Sequence, residues 1–146
     1  MFSGKLVLAA VIAASFAALS NDAALSQETT REAAYKGTMV CVAFPWQPTV
    51  VRVPMDLTVT EGAIAFARPI LGNNQVAGNE MAKGAVDADG NFSLASDGNE
   101  GGTHYQGAYK GTITRDGGTF TGTQTWTRGE LTHTRTCTGA FVRSKA

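Results

Sequence analysis

The chain has 146 residues, and its 12 basic side chains are balanced by 12 acidic ones, which gives a formal net charge of zero. A chain of this length is sized for one domain. Because a neutral domain has no long-range field to attract phosphate groups, the composition counts against nucleic-acid binding.

The N-terminus predicts export from the cytoplasm. Lys5 precedes an uncharged, almost wholly apolar run over residues 6–18, and small residues suited to cleavage follow near residues 20 and 26. This run is shorter than the roughly 20 apolar residues that a membrane span needs, although retention as a signal anchor is the alternative. We therefore predict a signal peptide over residues 1–26, a flexible lead-in over 27–33 and one secreted or periplasmic domain over 34–143, with no stable membrane anchor after cleavage.

The domain alternates apolar and polar side chains, which is typical of half-buried β-strands. No helical period occurs in it, so the sequence predicts an all-β fold. The alternation places strands over residues 35–43, 51–59, 63–70, 83–87 and 91–96, and three more between residues 105 and 143.

Turn-forming residues separate these segments. Asp89-Gly90 predicts a hairpin between the fourth and fifth strands, and Asp116-Gly117 separates two of the last three. Residues 70–83 and 97–102 carry runs of Asn and Gly and are predicted as loops. Pro54 predicts a bulge or irregularity in the second strand, because proline cannot donate to a ladder hydrogen bond.

The two cysteines, Cys41 and Cys137, predict a disulfide, since export allows one and only one intramolecular pairing exists. In the chain-entropy model a loop of this length stabilises the fold by on the order of 4–5 kcal/mol. They lie on the first and last of eight predicted strands, and pairing them also aligns Tyr35 with Arg143. We therefore predict a small eight-stranded antiparallel up-and-down barrel, closed by this disulfide. The alternative is a β-sandwich whose disulfide joins two sheets.

The predicted barrel is similar in shape to lipocalins and avidins, which are small secreted barrels that bind ligands. The lipocalin G-x-W start is missing, because Trp46 follows Phe44-Pro45 in a predicted loop. The resemblance therefore implies a shape, and shape alone is a weak warrant for function.

Connections in a meander alternate between the two ends of the barrel. Tight turns near residues 60–62, 88–91 and 115–118 fall at one end. The connections predicted over residues 44–49, 71–82, 97–103 and 128–130 fall at the other end. Because long loops commonly carry function, we predict that this second, loop-rich end is the functional one.

Strand parity predicts which side chains lie at the loop-rich end. Two arginines are among these side chains. Because arginine binds carboxylates and stacks on aromatic rings, they predict a site for a small aromatic or anionic ligand. Alternatively, these side chains lie at the rim in water, or are neutralised by Asp97, Glu100 or Glu130. The candidate ligand-binding residues are Trp46, Arg68, Tyr105, Gln124, Trp126, His133 and Arg135.

No catalytic motif occurs in the chain. His104 and His133 have no metal-ligand spacing with the cysteines, and neither a nucleophile elbow nor a phosphate-binding loop is present. We predict a non-enzymatic binding barrel with no cofactor, whose partner is a small molecule or an extracytoplasmic protein. The alternative function is an inhibitor or surface-interaction module that inserts the Trp46 loop into a partner.

Overall fold

The computed structural model describes residues 32–72 and 75–145, and these residues form an all-β domain. The predicted signal peptide lies outside the described residues. No helix in the described part of the chain is long and apolar enough to cross a bilayer. The strands are β1 Ala33–Cys41, β2 Val51–Thr60, β3 Ala63–Gly72, β4 Gln75–Val86, β5 Asn91–Glu100, β6 Thr103–Ile113, β7 Gly117–Arg128 and β8 Leu131–Arg143.

The eight strands form a closed barrel in chain order. Its closing seam joins β1 to β8 in the predicted antiparallel register, with Cys41 opposite Cys137 and Tyr35 opposite Arg143. The two cysteines form a disulfide across this seam, with their Cα atoms 4.0 Å apart. The predicted barrel is therefore confirmed, and the sandwich alternative is wrong because the ladder is continuous around the barrel.

Aromatic side chains fill the half of the barrel away from the predicted site. Phe66 stacks on Phe120 with ring centroids 5.9 Å apart, and Tyr109 meets Phe120 edge to face at 5.5 Å. Gly139 allows this packing, since a β-carbon there would overlap the Phe120 ring. Burying one such ring contributes roughly 1.5–3 kcal/mol. This half of the barrel is a packed core.

Most of the two loops predicted over residues 70–83 and 97–102 belongs to strands. The prediction that this end of the barrel is rich in long loops is therefore wrong. β4 begins at Gln75 and β5 continues to Glu100, where Gly101 and Gly102 form a turn with positive φ angles of 53° and 74°. Asn and Gly favour turns locally, but pairing with the neighbouring strand overrides that preference here. Among the connections that the structure describes at this end, the long one joins β1 to β2 over residues 42–50.

The barrel seams are incomplete on both sides of the β3–β4 hairpin at the same end. β2 pairs with β3 only through residues 56–60 and 63–67, and β4 pairs with β5 only through residues 83–86 and 92–95. The bulge or irregularity predicted at Pro54 is wrong, because the β1–β2 register runs through Thr38 and Pro54 without a shift. The proline is tolerated because it lies in the part of β2 without a β3 partner. Across the gap between β4 and β5, the Ser96 hydroxyl donates to the Glu80 side chain where the backbone ladder is missing.

Candidate functional site

A cavity of about 580 Å³ opens at the end of the barrel that bears the β1–β2 connection. Its walls come from that connection, from the ends of β3 and β4, from the β5–β6 turn, and from β7 and β8. Lining side chains include Phe44, Trp46, Arg68, Ile70, Trp126 and Arg135.

The β1–β2 connection folds into a tight turn over this cavity. The backbone N–H of Phe44 donates to the carbonyl of Gln47 at 3.0 Å, and the reverse bond is 2.8 Å long. Pro45 between them favours such a turn because its φ is already fixed. The Phe44 ring stacks on Trp126 with centroids 6.2 Å apart, and Trp46 meets His133 edge to face at 4.7 Å. The turn is therefore packed against the barrel wall.

A buried polar network centred on Glu80 forms the floor of the site. Its Oε1 accepts hydrogen bonds from the Ser96 hydroxyl at 2.5 Å and from the Tyr109 hydroxyl at 2.6 Å. Its Oε2 accepts from Arg68 Nε and from Gln124 Nε2, each at 2.7 Å. A buried carboxylate with this many donors and one cationic partner is fully compensated.

Arg68 and Glu80 form a buried ion pair that neutralises both charges. The Nη2 of Arg68 approaches the same Glu80 oxygen, but the angle is unsuitable for a hydrogen bond, so this atom has ionic contact without a hydrogen bond of its own. The Nη1 donates to the carbonyl of Pro69 at 3.0 Å. The hydrogen bond from Arg68 Nε to Glu80, 2.7 Å long, holds the pair together.

Tyr109 and Gln124 link Glu80 to Arg135 at the cavity through hydrogen bonds. Burial, reinforced by the negative Glu80, raises the pKa of Tyr109 well above its usual value, so the hydroxyl keeps its proton. Gln124 Nε2 also donates to the Tyr109 oxygen at 2.9 Å. The amide nitrogen of Gln124 thus donates to both Glu80 and Tyr109, and its carbonyl oxygen faces Arg135.

Arg135 is a buried cation held by neutral groups. Its Nε donates to Gln124 Oε1 at 2.8 Å, and its Nη1 donates to Gln47 Oε1 at 2.6 Å. The guanidinium carbon lies 4.9 Å from the Phe44 centroid and 5.6 Å from the Trp126 centroid. Burial, then the positive Arg68, lowers the pKa of Arg135 to about 10, so it remains charged at neutral pH. No carboxylate of the described residues forms an ion pair with it.

Four of the predicted site residues line the cavity: Trp46, Arg68, Trp126 and Arg135. The rim alternative is wrong for the two arginines, because Arg68 is 2% exposed and Arg135 is 4% exposed. Glu80, rather than any of the three carboxylates considered from the sequence, neutralises Arg68.

The other three predicted residues support the cavity from outside its lining. Gln124 lies in the network beneath it. Tyr105 packs on Trp126 with centroids 5.2 Å apart, and its hydroxyl donates to the carbonyl of Asn79 at 3.4 Å. Burial and the nearby Glu80 raise the pKa of Tyr105. His133 supports Trp46.

Sequence reasoning missed Glu80 and Gln47. Glu80 fell in a predicted loop, although counting inward by two from Ala82 along a longer β4 would have placed it inside the barrel. Gln47 lies in the turn, where no periodic signal indicates the direction of a side chain. Its amide nitrogen donates to the Leu71 carbonyl at 3.3 Å, so it connects β8 to β3 across the mouth.

No family model matches the chain, and no curated protein matches it. Among the described residues, no group of three or more His, Cys, Asp or Glu side chains could hold a metal ion.

Proposed function

We propose that this protein is a secreted or periplasmic, non-enzymatic binding barrel whose cavity takes a small organic anion with an aromatic part. The observation that carries the proposal is Arg135, a buried cation at the cavity without an anionic partner among the described residues. Burying an unpaired charge is costly, and such groups in concave sites are candidates for ligand contacts. Since the charges of Arg68 and Glu80 cancel, one negative charge on the ligand would balance the charge of Arg135.

The walls of the cavity favour a ligand with a flat apolar part. Phe44 and Trp126 present rings beside the guanidinium of Arg135, and Trp46 lines the same cavity. Arginine binds carboxylates through paired N–H groups, while aromatic walls pack against a ring of the ligand. The cavity volume of about 580 Å³ lies in the usual range for sites of small ligands.

The disulfide is compatible with an oxidising compartment outside the cytoplasm. Together with the sequence pattern of a signal peptide, it supports secretion or a periplasmic location. Both settings expose a binding protein to small molecules in the surrounding medium.

The packing of Trp46 gives less support to the inhibitor alternative. The ring is half-buried, lies against His133, and has the Arg128 guanidinium carbon 5.1 Å from its centroid. Insertion into a partner's cleft would require these contacts to break. A small ligand bound to Arg135 does not require the Trp46 contacts to break.

Calorimetric titration with phenylacetate and its uncharged analogue phenylacetamide tests the proposal. We expect phenylacetate to bind and phenylacetamide to bind at least about tenfold more weakly, because only the acid pairs with Arg135. Arg135→Gln should weaken phenylacetate binding by about thirtyfold or more. Arg52→Gln, which removes an exposed arginine of β2, is the matched control and should bind like the wild type. Equal affinities for acid and amide would contradict the proposal.

A further inference from the structure

Trp126 carries a second unsatisfied group at the same cavity. The residue is 7% exposed and lines the cavity, with Phe44 on one side at 6.2 Å and Tyr105 at 5.2 Å between ring centroids. Its Nε1 is buried and has no hydrogen-bond partner among the described residues. An indole N–H can only donate, and a buried donor without an acceptor destabilises the unliganded protein.

The chemistry of the surrounding side chains indicates what is missing. Arg68, Arg135 and Trp126 all line the cavity, and their side chains carry hydrogen-bond donors only. Arg68 has its anion in Glu80, although its Nη2 makes no hydrogen bond. Arg135 has no carboxylate partner among the described residues, and Trp126 Nε1 has no acceptor there. The Arg135 guanidinium carbon is 5.6 Å from the Trp126 ring centroid, within the reach of one small ligand. Such a ligand would present two acceptor groups close together.

We propose that Trp126 determines specificity by donating its indole N–H to a neutral oxygen on the carbon next to the ligand's carboxylate. This inference rests on the proposed function and narrows it to 2-oxo and related carboxylates with an aromatic part. The carboxylate pairs with Arg135, the adjacent oxygen accepts from Trp126, and the ring of the ligand packs along the aromatic wall.

The β1–β2 turn lies against both Arg135 and Trp126. Gln47 Oε1 occupies one N–H of Arg135, and the Phe44 ring stacks on Trp126. The ligand replaces the neutral amide oxygen of Gln47 by an anionic one, which forms a stronger bond to a guanidinium. Phe44 stacks on the face of Trp126 and does not block the indole N–H, which lies in the plane of the ring.

Two matched acids test the role of Trp126 by calorimetry. Benzoylformate differs from phenylacetate by a carbonyl in place of the methylene group, so it adds the required acceptor at nearly constant shape. We expect wild-type protein to bind benzoylformate about tenfold or more tightly than phenylacetate. Trp126→Phe keeps an aromatic ring but removes the N–H, and should bring the two affinities within about twofold. Tyr35→Phe also removes a donor from an aromatic side chain, but outside the cavity lining, and should leave the preference intact.

A spectroscopic measurement on folded protein covers the case in which Trp126→Phe does not fold. Trp46→Phe leaves one tryptophan, so its ¹⁵N-resolved indole resonance belongs to Trp126. Benzoylformate should move this proton downfield, and phenylacetate should not. Equal affinities of the acids for wild-type protein, or a preference that survives Trp126→Phe, would overturn the role of Trp126. If phenylacetate still binds through Arg135, the proposed anion site survives that result. Failure of both acids to bind would overturn both proposals.

Discussion

Gln47→Glu supplies the missing anion from the protein itself. Gln47 Oε1 already lies 2.6 Å from Arg135 Nη1, and the substitution exchanges an amide nitrogen for an oxygen at constant shape. We expect a carboxyl at position 47 to pair with Arg135. The variant should therefore be more stable than the wild type and should bind phenylacetate more weakly, because the internal carboxylate occupies the anion site.

The magnitude follows from the local contacts. Two unit charges about 4 Å apart interact by about 4 kcal/mol at an effective dielectric constant of about 20. Loss of the Gln47 bond to the Leu71 carbonyl removes about 1 kcal/mol, and partial desolvation of the new carboxylate removes more. A net gain of about 1–2 kcal/mol remains, which corresponds to a melting temperature about 5 °C higher or more. Phenylacetate affinity should fall by about tenfold or more.

Urea unfolding and calorimetric titration measure the two effects. Arg135 lowers the folded-state pKa of a carboxyl at position 47 below its ordinary value of about 4.3. The gain in stability is therefore present at neutral pH and is lost in acid, as the pH falls through that lowered pKa. The same substitution in an Arg135→Gln background is the control and should give no gain. Unchanged stability together with unchanged phenylacetate affinity in the single variant would refute the anion site.

Three further substitutions test the rest of the structure. Glu80→Gln leaves a buried guanidinium without its anion and should lower the free energy of unfolding by about 3–5 kcal/mol in urea; a loss below about 1 kcal/mol would show that the network is not buried as described. The raised pKa of Tyr109 means that the folded protein keeps a proton which the unfolded chain loses above about pH 10, so this residue makes stability fall as the pH rises beyond that value. Tyr109→Phe should remove that part of the fall, and parallel pH profiles for variant and wild type would contradict this assignment. Replacing Cys41 and Cys137 by Ser together should lower stability by on the order of 4–5 kcal/mol, as should reduction of the wild type; an unchanged urea midpoint would contradict a stabilising closure.

The barrel was predictable because two independent patterns in the sequence agree. Alternation with a period of two assigns inward and outward faces along most strands, and the cysteines allow a single pairing. Placing Cys41 opposite Cys137 determines the register of the closing seam, and the structure has that register. Neither pattern depends on the conformation of a loop.

The length of β4 was not predictable from local composition. Its first residues are rich in Gly and Asn and lie where β4 pairs with β3 but not with β5. Only pairing with a distant part of the chain reveals such a segment as a strand. For this reason the sequence did not reveal Glu80, which is the anionic partner of Arg68.

The candidate site was predictable in part, by strand parity. Inward positions on β3, β7 and β8 placed Arg68, Trp126 and Arg135 at one end of the barrel, where they line the cavity. Two of the long loops predicted at this end are strands, but the cavity does lie there, beside the β1–β2 connection. The contact of Gln47 with Arg135 depends on a turn with no periodic pattern, so only the structure reveals it.

A crystal structure of the protein with 4-bromophenylacetate would show directly whether Arg135 holds the anion. We expect anomalous scattering from bromine between the aromatic walls of the cavity, with the carboxylate of the ligand bound to Arg135 and the Gln47 oxygen displaced from it. Bromine outside the cavity, or a ligand whose carboxylate points away from Arg135, would contradict the proposed anion site.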